Sequence, residues 1–349
     1  MFIGTAVAIL AFDFDVFPER FGKTVNYGMS VMDIGTAMFV ISMALSEYII
    51  THRPQKSAKL NRSKQTPSYL STFVILLGIG FVKELFAHIF KYSHSTIEYG
   101  EHWNFFITLG FLKLFTTIFP YPYSIPVGII IGLTYQTALN LGLESWILRD
   151  DRDSWNVIDA NREGICSLFG YIFVYGFTLI IIKFVAIVDG IFNPSYKSVS
   201  FWMIAGAFTY FGQLLMMEIF GEPSRRIANI PYVLAMVSMK CAVIGFLQLI
   251  QIQGVLRSNT KSETFNAKGL NLLESISGNC LLFFLIANLA TGFVNSVIHT
   301  HSVQNVALQM TILIAYNFGI CLFIYVWHLF NNRKLPSKGN PSLEVIIEK

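Results

Sequence analysis

Gly164–Ile187 reads GICSLFGYIFVYGFTLIIIKFVAI, an apolar run interrupted by one charge, Lys183. A helix needs about 20 such residues to cross the hydrocarbon core of a bilayer. Further runs of this kind lie at 28–50, 69–90, 103–119, 125–142, 200–220, 230–252, 274–297 and 304–330. They are continuous rather than alternating, which disfavours a β-barrel. Several contain Gly, Pro or a polar residue, tolerated where neighbouring helices satisfy the freed backbone groups. The expected fold class is therefore all-α integral membrane, a polytopic helix bundle of about nine full spans plus a partial span at 1–12. No convincing repeat or low-complexity segment divides it. Residues 1–349 read as a single polytopic membrane domain that ends in a cytoplasmic tail at 331–349.

Composition agrees. Apolar residues make up 54% of the 349 and charged residues only 13%, against about 25% charged in a soluble domain. Mean hydropathy is +0.55. The net charge of +4 is small and has no concentrated basic face, so a nucleic-acid partner is not expected. Cys166, Cys241, Cys280 and Cys321 all fall inside apolar runs without metal-type spacing. They read as packing residues, and no metal site is expected. Met1–Phe12 lacks a basic n-region and a small-residue cleavage site, so it does not read as a signal peptide. It reads as the end of a spanning helix whose beginning is missing.

Loop charge sets the orientation. Segment 51–68 carries five Lys/Arg and no acid, which places it in the cytoplasm by the positive-inside rule. Alternating from there, 120–124, 188–199, 253–271 and 331–349 join it, for 13 Lys/Arg and 4 Asp/Glu on that side. The opposite loops (13–27, 91–102, 143–163, 221–229 and 298–303) hold 8 Lys/Arg and 12 Asp/Glu. The far side is also dense in His, Trp and Asn.

Four far-side segments hold the candidate chemistry. The opening hairpin brackets aromatic residues between Asp13 and Lys23, with Pro18 and Gly22 permitting the chain to turn back. Ionisable groups beside hydrocarbon are costly and commonly functional. Such a carboxylate suits a base for an alcohol proton, and such an ammonium suits developing negative charge. The second segment, EYGEHWNFF (98–106), offers His102 and Asn104 at a helix start. The third, around Asp159–Glu163, offers Arg162, and the fourth offers Arg225, Arg226 and Asn229 before a helix beginning near Pro231. Helix N-termini and paired arginines suit a phosphate-bearing ligand. Each has a plainer reading too: Arg225 and Arg226 as interfacial anchors, His102 as an interface residue, Asn161–Glu163 as a helix cap with a local ion pair. Asp33 is expected about five residues inside its helix, facing the bundle interior. Lys113 and Lys183 are expected to snorkel.

Taken together, the motifs resemble the GPI-inositol acyltransferase family (PIG-W type). They are DFxxFPxRFxKT at 13–24, SVMDIG at 30–35, EYGEHWNFF at 98–106, NREGICS at 161–167, SRRIANIPY at 224–232 and ANLATGFVN at 287–295, in family order. The chain departs from the family pattern at Glu19, usually basic, and Val25, usually acidic. The family's first spans also lie outside it.

The resemblance implies a multi-pass enzyme of the endoplasmic reticulum membrane with a luminal active face and a cytoplasmic C-terminus. It implies transfer of a fatty acyl group, typically palmitoyl, from acyl-CoA as co-substrate to the inositol 2-hydroxyl of glucosaminyl-phosphatidylinositol, with no bound cofactor. By motif position, the family's catalytic Asp and Lys fall on Asp13 and Lys23. His102, Asn104, Arg162, Arg225, Arg226 and Asn229 are the expected substrate-binding groups. Two competitors stand beside this reading. One makes His102 the base, as in the membrane-bound O-acyltransferases. The other is a transporter that uses the intramembrane charges, which predicts inverted repeats; none is found.

Overall fold

The run that opens the sequence analysis is one helix, Arg162–Ala186, and it lies at the centre of its neighbours. In its most apolar stretch 72% of residues are buried, against 22–39% in the other candidate spans. A helix apolar on every side is a buried helix, and this one has no polar face to turn outward. The computed structural model describes residues 2–52, 69–89, 96–188, 191–192, 194–260, 271–298, 300 and 303–333. Most of the basic loop 51–68, the centre of the 253–271 loop and the tail from 334 lie outside them.

In chain order the helices are α1 (Phe2–Ala11), α2 (Gly35–His52), α3 (Tyr69–Ile89), α4 (Thr96–Tyr99), α5 (Phe105–Ile118), α6 (Ser124–Ala138), α7 (Glu144–Leu148), α8 (Val157–Ala160), α9 (Arg162–Ala186), α10 (Tyr196–Phe220), α11 (Ile230–Thr260), α12 (Asn271–Gly278), α13 (Cys280–Ile298) and α14 (Val306–Arg333). Among the described residues there is no strand. The chain is an all-α polytopic membrane protein, with seven helical stretches both long and apolar enough to cross a bilayer among those residues.

Local chemistry moves several expected boundaries. The run 103–119 yields a helix of only 14 residues, because Asn104 caps its start and Phe119 ends it before Pro120. At about 1.5 Å per residue it falls short of a core about 30 Å thick. The run from 28 does not become α-helix until Gly35. A capping box of Ser30 and Asp33 first holds Val31–Ile34 in a 3₁₀ turn. Asp33 is therefore buried at the helix entrance rather than a turn and a half inside it. The run 274–297 divides at Asn279 into α12 and α13. Lys113 does not simply snorkel: its ammonium lies 3.5 Å from Glu47.

Contacts group the chain into two compact units, 1–22 with 263–349, and 23–262. In the first, α1 packs on α13 and α14, and α12 packs on α14. Leu10, Phe14, Phe283, Ala287, Tyr316 and Ile324 are among the residues of its core. In the second, α9 packs on α2 and α6, α3 on α5, and α10 on α11. The α6–α9 contact is close because glycines meet there: a Cβ on Gly128 would stand 3.3 Å from the Gly176 Cα. Small residues at such crossings let backbones approach within a membrane. All four cysteines are free thiols.

Candidate functional site

In the unit formed by 23–262, the polar residues at the starts of α2, α5, α9 and α11 converge into one network. It begins with Asp33, which is fully buried. The Thr24 hydroxyl and the Thr24 and Ser30 backbone amides donate to its carboxylate at 2.9–3.3 Å. Arg225 Nε donates to it at 2.9 Å. The same guanidinium reaches Glu98 Oε1 through Nη1 at 3.0 Å, and Lys23 Nζ reaches Glu98 Oε2 at 2.5 Å. A buried charge is stable only when paired and hydrogen-bonded. Burial pushes the Glu98 pKa up, but Lys23 and Arg225 outweigh it and hold the carboxyl at about 2. Burial alone would lower the Arg225 pKa; Glu98 and its other neighbours raise it instead.

Arg226 starts a second branch. Its Nη2 donates to Glu163 at 2.9 Å and its Nη1 to Asn26 Oδ1 at 2.8 Å. Glu163 is fully buried and is also held by Arg152 in a two-point contact at 2.6 and 3.0 Å. Two further bonds sew segment 26–28 to the 223–224 turn: Gly28 N donates to Pro223 O at 2.8 Å, and the Ser224 hydroxyl donates to Asn26 O.

Arg162, with no exposed surface, organises the loop before its own helix. Nε donates to Ile147 O at 3.1 Å, Nη1 to Asp151 O at 2.8 Å and Asp159 Oδ1 at 3.2 Å, and Nη2 to Arg149 O. Asp159 also accepts from Arg149 and from the Asp153 amide, each at 2.7 Å. That amide bond and the two guanidinium groups outweigh burial and lower its pKa.

The remaining candidates sit on the same framework. Asn104 caps α5 through Oδ1 and donates Nδ2 to Gly80 O and Glu84. Asn229 accepts from the Ser224 and Tyr232 amides and donates to Glu222 O, closing the turn before α11. His102 keeps its side chain 70% exposed and is tied down by its backbone amide, which donates to Asn161 Oδ1. Just before it, Gly100 has φ +107, and a Cβ there would stand 2.5 Å from Ala160 O. Only glycine tolerates both. Among the described residues no group of three His, Cys, Asp or Glu is arranged to hold a metal.

Asp13 belongs to the other unit and Lys23 to this one. At the end of α1, Asp13 Oδ2 accepts from Asn295 Nδ2 at 2.7 Å, and the Thr300 hydroxyl donates to Asn295 Oδ1 at 3.1 Å. The following turn is fixed by the fully buried Gln309, which accepts from the Val16 amide at 3.0 Å and donates to Val303 O at 2.6 Å.

The structure thus brings together Lys23, Arg225, Arg226, Asn229 and Arg162 with Asp33, Glu98, Asp159 and Glu163. The local Arg162–Glu163 ion pair is legible in the sequence and is present at 3.8 Å; the pairing of Glu98 with Lys23 and Arg225 and of Glu163 with Arg152 and Arg226 is not. Arg149 and Arg152 carry no distinguishing signal in the sequence, because they alternate with Asp150, Asp151 and Asp153 in a loop dense in charge. Asn295 lies in a quoted motif but carries no charge to draw notice.

Against known proteins, the GWT1 family model matches residues 1–327. GPI-anchored wall transfer protein 1 of Candida albicans is 34% identical, with 91% of this chain and 70% of that protein covered. The protein of the same name from Gibberella zeae is 32% identical, covering 91% and 69%. Phosphatidylinositol-glycan biosynthesis class W protein of Dictyostelium discoideum is 30% identical, covering 92% and 70%.

Proposed function

The chain belongs to the GWT1 family, and from that premise we propose that it acylates inositol in the assembly of GPI anchors. The acyl group, palmitoyl, passes from acyl-CoA to the inositol 2-hydroxyl of glucosaminyl-phosphatidylinositol at the luminal face of the endoplasmic reticulum membrane. The observation that carries this reading is the match over 1–327, with relatives named for GPI-anchored wall transfer and phosphatidylinositol-glycan biosynthesis.

The geometry supports a role for Asp13 as base. One carboxylate oxygen is occupied by Asn295, and the other has no hydrogen-bond partner among the described residues. That second oxygen accepts the inositol hydroxyl proton as the alkoxide oxygen bonds to the thioester carbonyl carbon. The tetrahedral intermediate collapses with loss of the CoA thiolate, which takes the proton back from Asp13. Lys23 is assigned its role on motif position alone, as the cation for developing negative charge. Arg225 and Arg226 supply the positive field for lipid or CoA phosphates, and His102, with its side chain 70% exposed, is a further polar group for the substrate.

The test is lipid analysis of cells that lack their own inositol acyltransferase and carry this chain. Acylated glucosaminyl-phosphatidylinositol should return with the wild type and not with Asp13→Asn. Failure of the wild type to restore it, with the protein present in the membrane, would count against the assignment.

A further inference from the structure

We propose that Asn295 is a positioning residue for Asp13 and that Thr300 sets the orientation of the Asn295 amide. The inference rests on the reading of Asp13 as the base and adds the residues that aim it. Asp13 follows the last turn of α1, and its amide donates to Leu10 O at 3.1 Å. The backbone there is held by one strap, Gln309 on α14, through the Val16 amide. The carboxylate is held by another, Asn295 in the last turn of α13. Two helices distant in sequence from Asp13 thus hold its side chain and the backbone three residues after it separately.

An amide can face a carboxylate in two ways. With Nδ2 toward Asp13 it donates; with Oδ1 toward Asp13 two acceptors face each other. Thr300 is 3% exposed, and its hydroxyl donates to Asn295 Oδ1, which selects the productive face. The donor is neutral, so it orients the carboxylate without forming an ion pair. One oxygen is committed to Asn295 and the other is turned to the substrate hydroxyl. Positioning of this kind matters because a misplacement of ~1 Å at a reacting group costs on the order of 10²-fold in rate.

The test uses the full chain in membranes from cells lacking their own acyltransferase, with palmitoyl transfer to glucosaminyl-phosphatidylinositol measured per molecule of protein. Asn295→Leu should lower kcat on the order of 10²-fold with KM for both substrates unchanged. Thr300→Val keeps the shape and removes the donor. It should lower kcat about tenfold, and Thr300→Ser should restore it. If Asn295→Leu fails to accumulate, the Thr300 pair decides. A bond that merely ties α13 to α1 would lower protein yield in Thr300→Val and leave kcat unchanged, and that result overturns the proposal. Asp13→Asn separates the two readings. Activity in that variant removes the base assignment itself, whatever Asn295 does. Loss of activity there, with wild-type kcat in Asn295→Leu and Thr300→Val, removes only the positioning role.

Discussion

Arg225 donates through Nε to the carboxylate of Asp33 at 2.9 Å, across 192 residues of sequence. Both side chains are buried, and the same guanidinium also holds Glu98. This one contact ties the turn before α11 to the entrance of α2.

Arg225→Met should therefore leave two carboxylates short of their cation. Removing one partner of a buried ion pair costs about 3–5 kcal/mol. Thermal unfolding of the detergent-solubilised protein should show a clear loss. Arg225→Lys should rescue it poorly, because a point charge cannot serve two carboxylates at fixed angles. A melting temperature equal to the wild type in Arg225→Met would show that water replaces the guanidinium at no cost.

The pH dependence of stability has a definite sign. Folding lowers the Glu98 pKa from 4.5 to about 2. Between those values the unfolded chain binds more protons than the folded one, so stability falls as pH falls. The contribution is complete above about 4.5 and is lost progressively as pH drops toward 2. Asp159 is shifted in the same direction, so Glu98→Gln should remove part of the slope and not all of it. Melting temperatures measured across that range check this; an unchanged slope in Glu98→Gln would refute it.

Gly100→Ala should destabilise the protein severely. The new Cβ would meet Ala160 O and the Asn161 Cα at 2.5 and 2.6 Å in a left-handed backbone. Alanine where φ is positive and space is absent costs more than ~1 kcal/mol. The expected result is a sharp drop in folded protein by fluorescence-detected size exclusion, whereas Gly221→Ala, with φ +78 and nothing within 4 Å, should lose far less.

Lys23→Ala should separate function from stability. Glu98 keeps Arg225 when the ammonium is removed, and Lys23 is 37% exposed. Protein level should therefore stay close to wild type while acyl transfer is lost. Robust transfer by Lys23→Ala in a membrane assay would remove Lys23 from the proposed chemistry.

Much of this protein is legible from its sequence. The long apolar runs, the all-α class and the grouping of EYGEHWNFF, NREGICS and SRRIANIPY at one end all follow from residue order. Family membership does too. Apolarity over about 20 residues is a local property, and lipid forces the backbone in such a run to bond within itself, so the run can be read without knowing its neighbours.

Pairing was decided only by the tertiary structure. Arg162 and Arg225 read alike in the chain, as arginines at helix entrances. One donates to the carbonyls of Ile147, Arg149 and Asp151 and to nearby Asp159, while the other bridges the distant Asp33 and Glu98. The partner of Asp13 is a neutral Asn295, 282 residues away. A side chain's partner depends on which helices adjoin, and packing of shape and small residues sets that, with no trace in the local pattern. The desolvation of each charge depends in turn on the partner it finds. The sequence by itself determined the all-α class, the long apolar runs and the polar motifs that lie between them. Packing alone decided which charge answers which, because a buried ion is stable only beside the group that the rest of the fold brings to it.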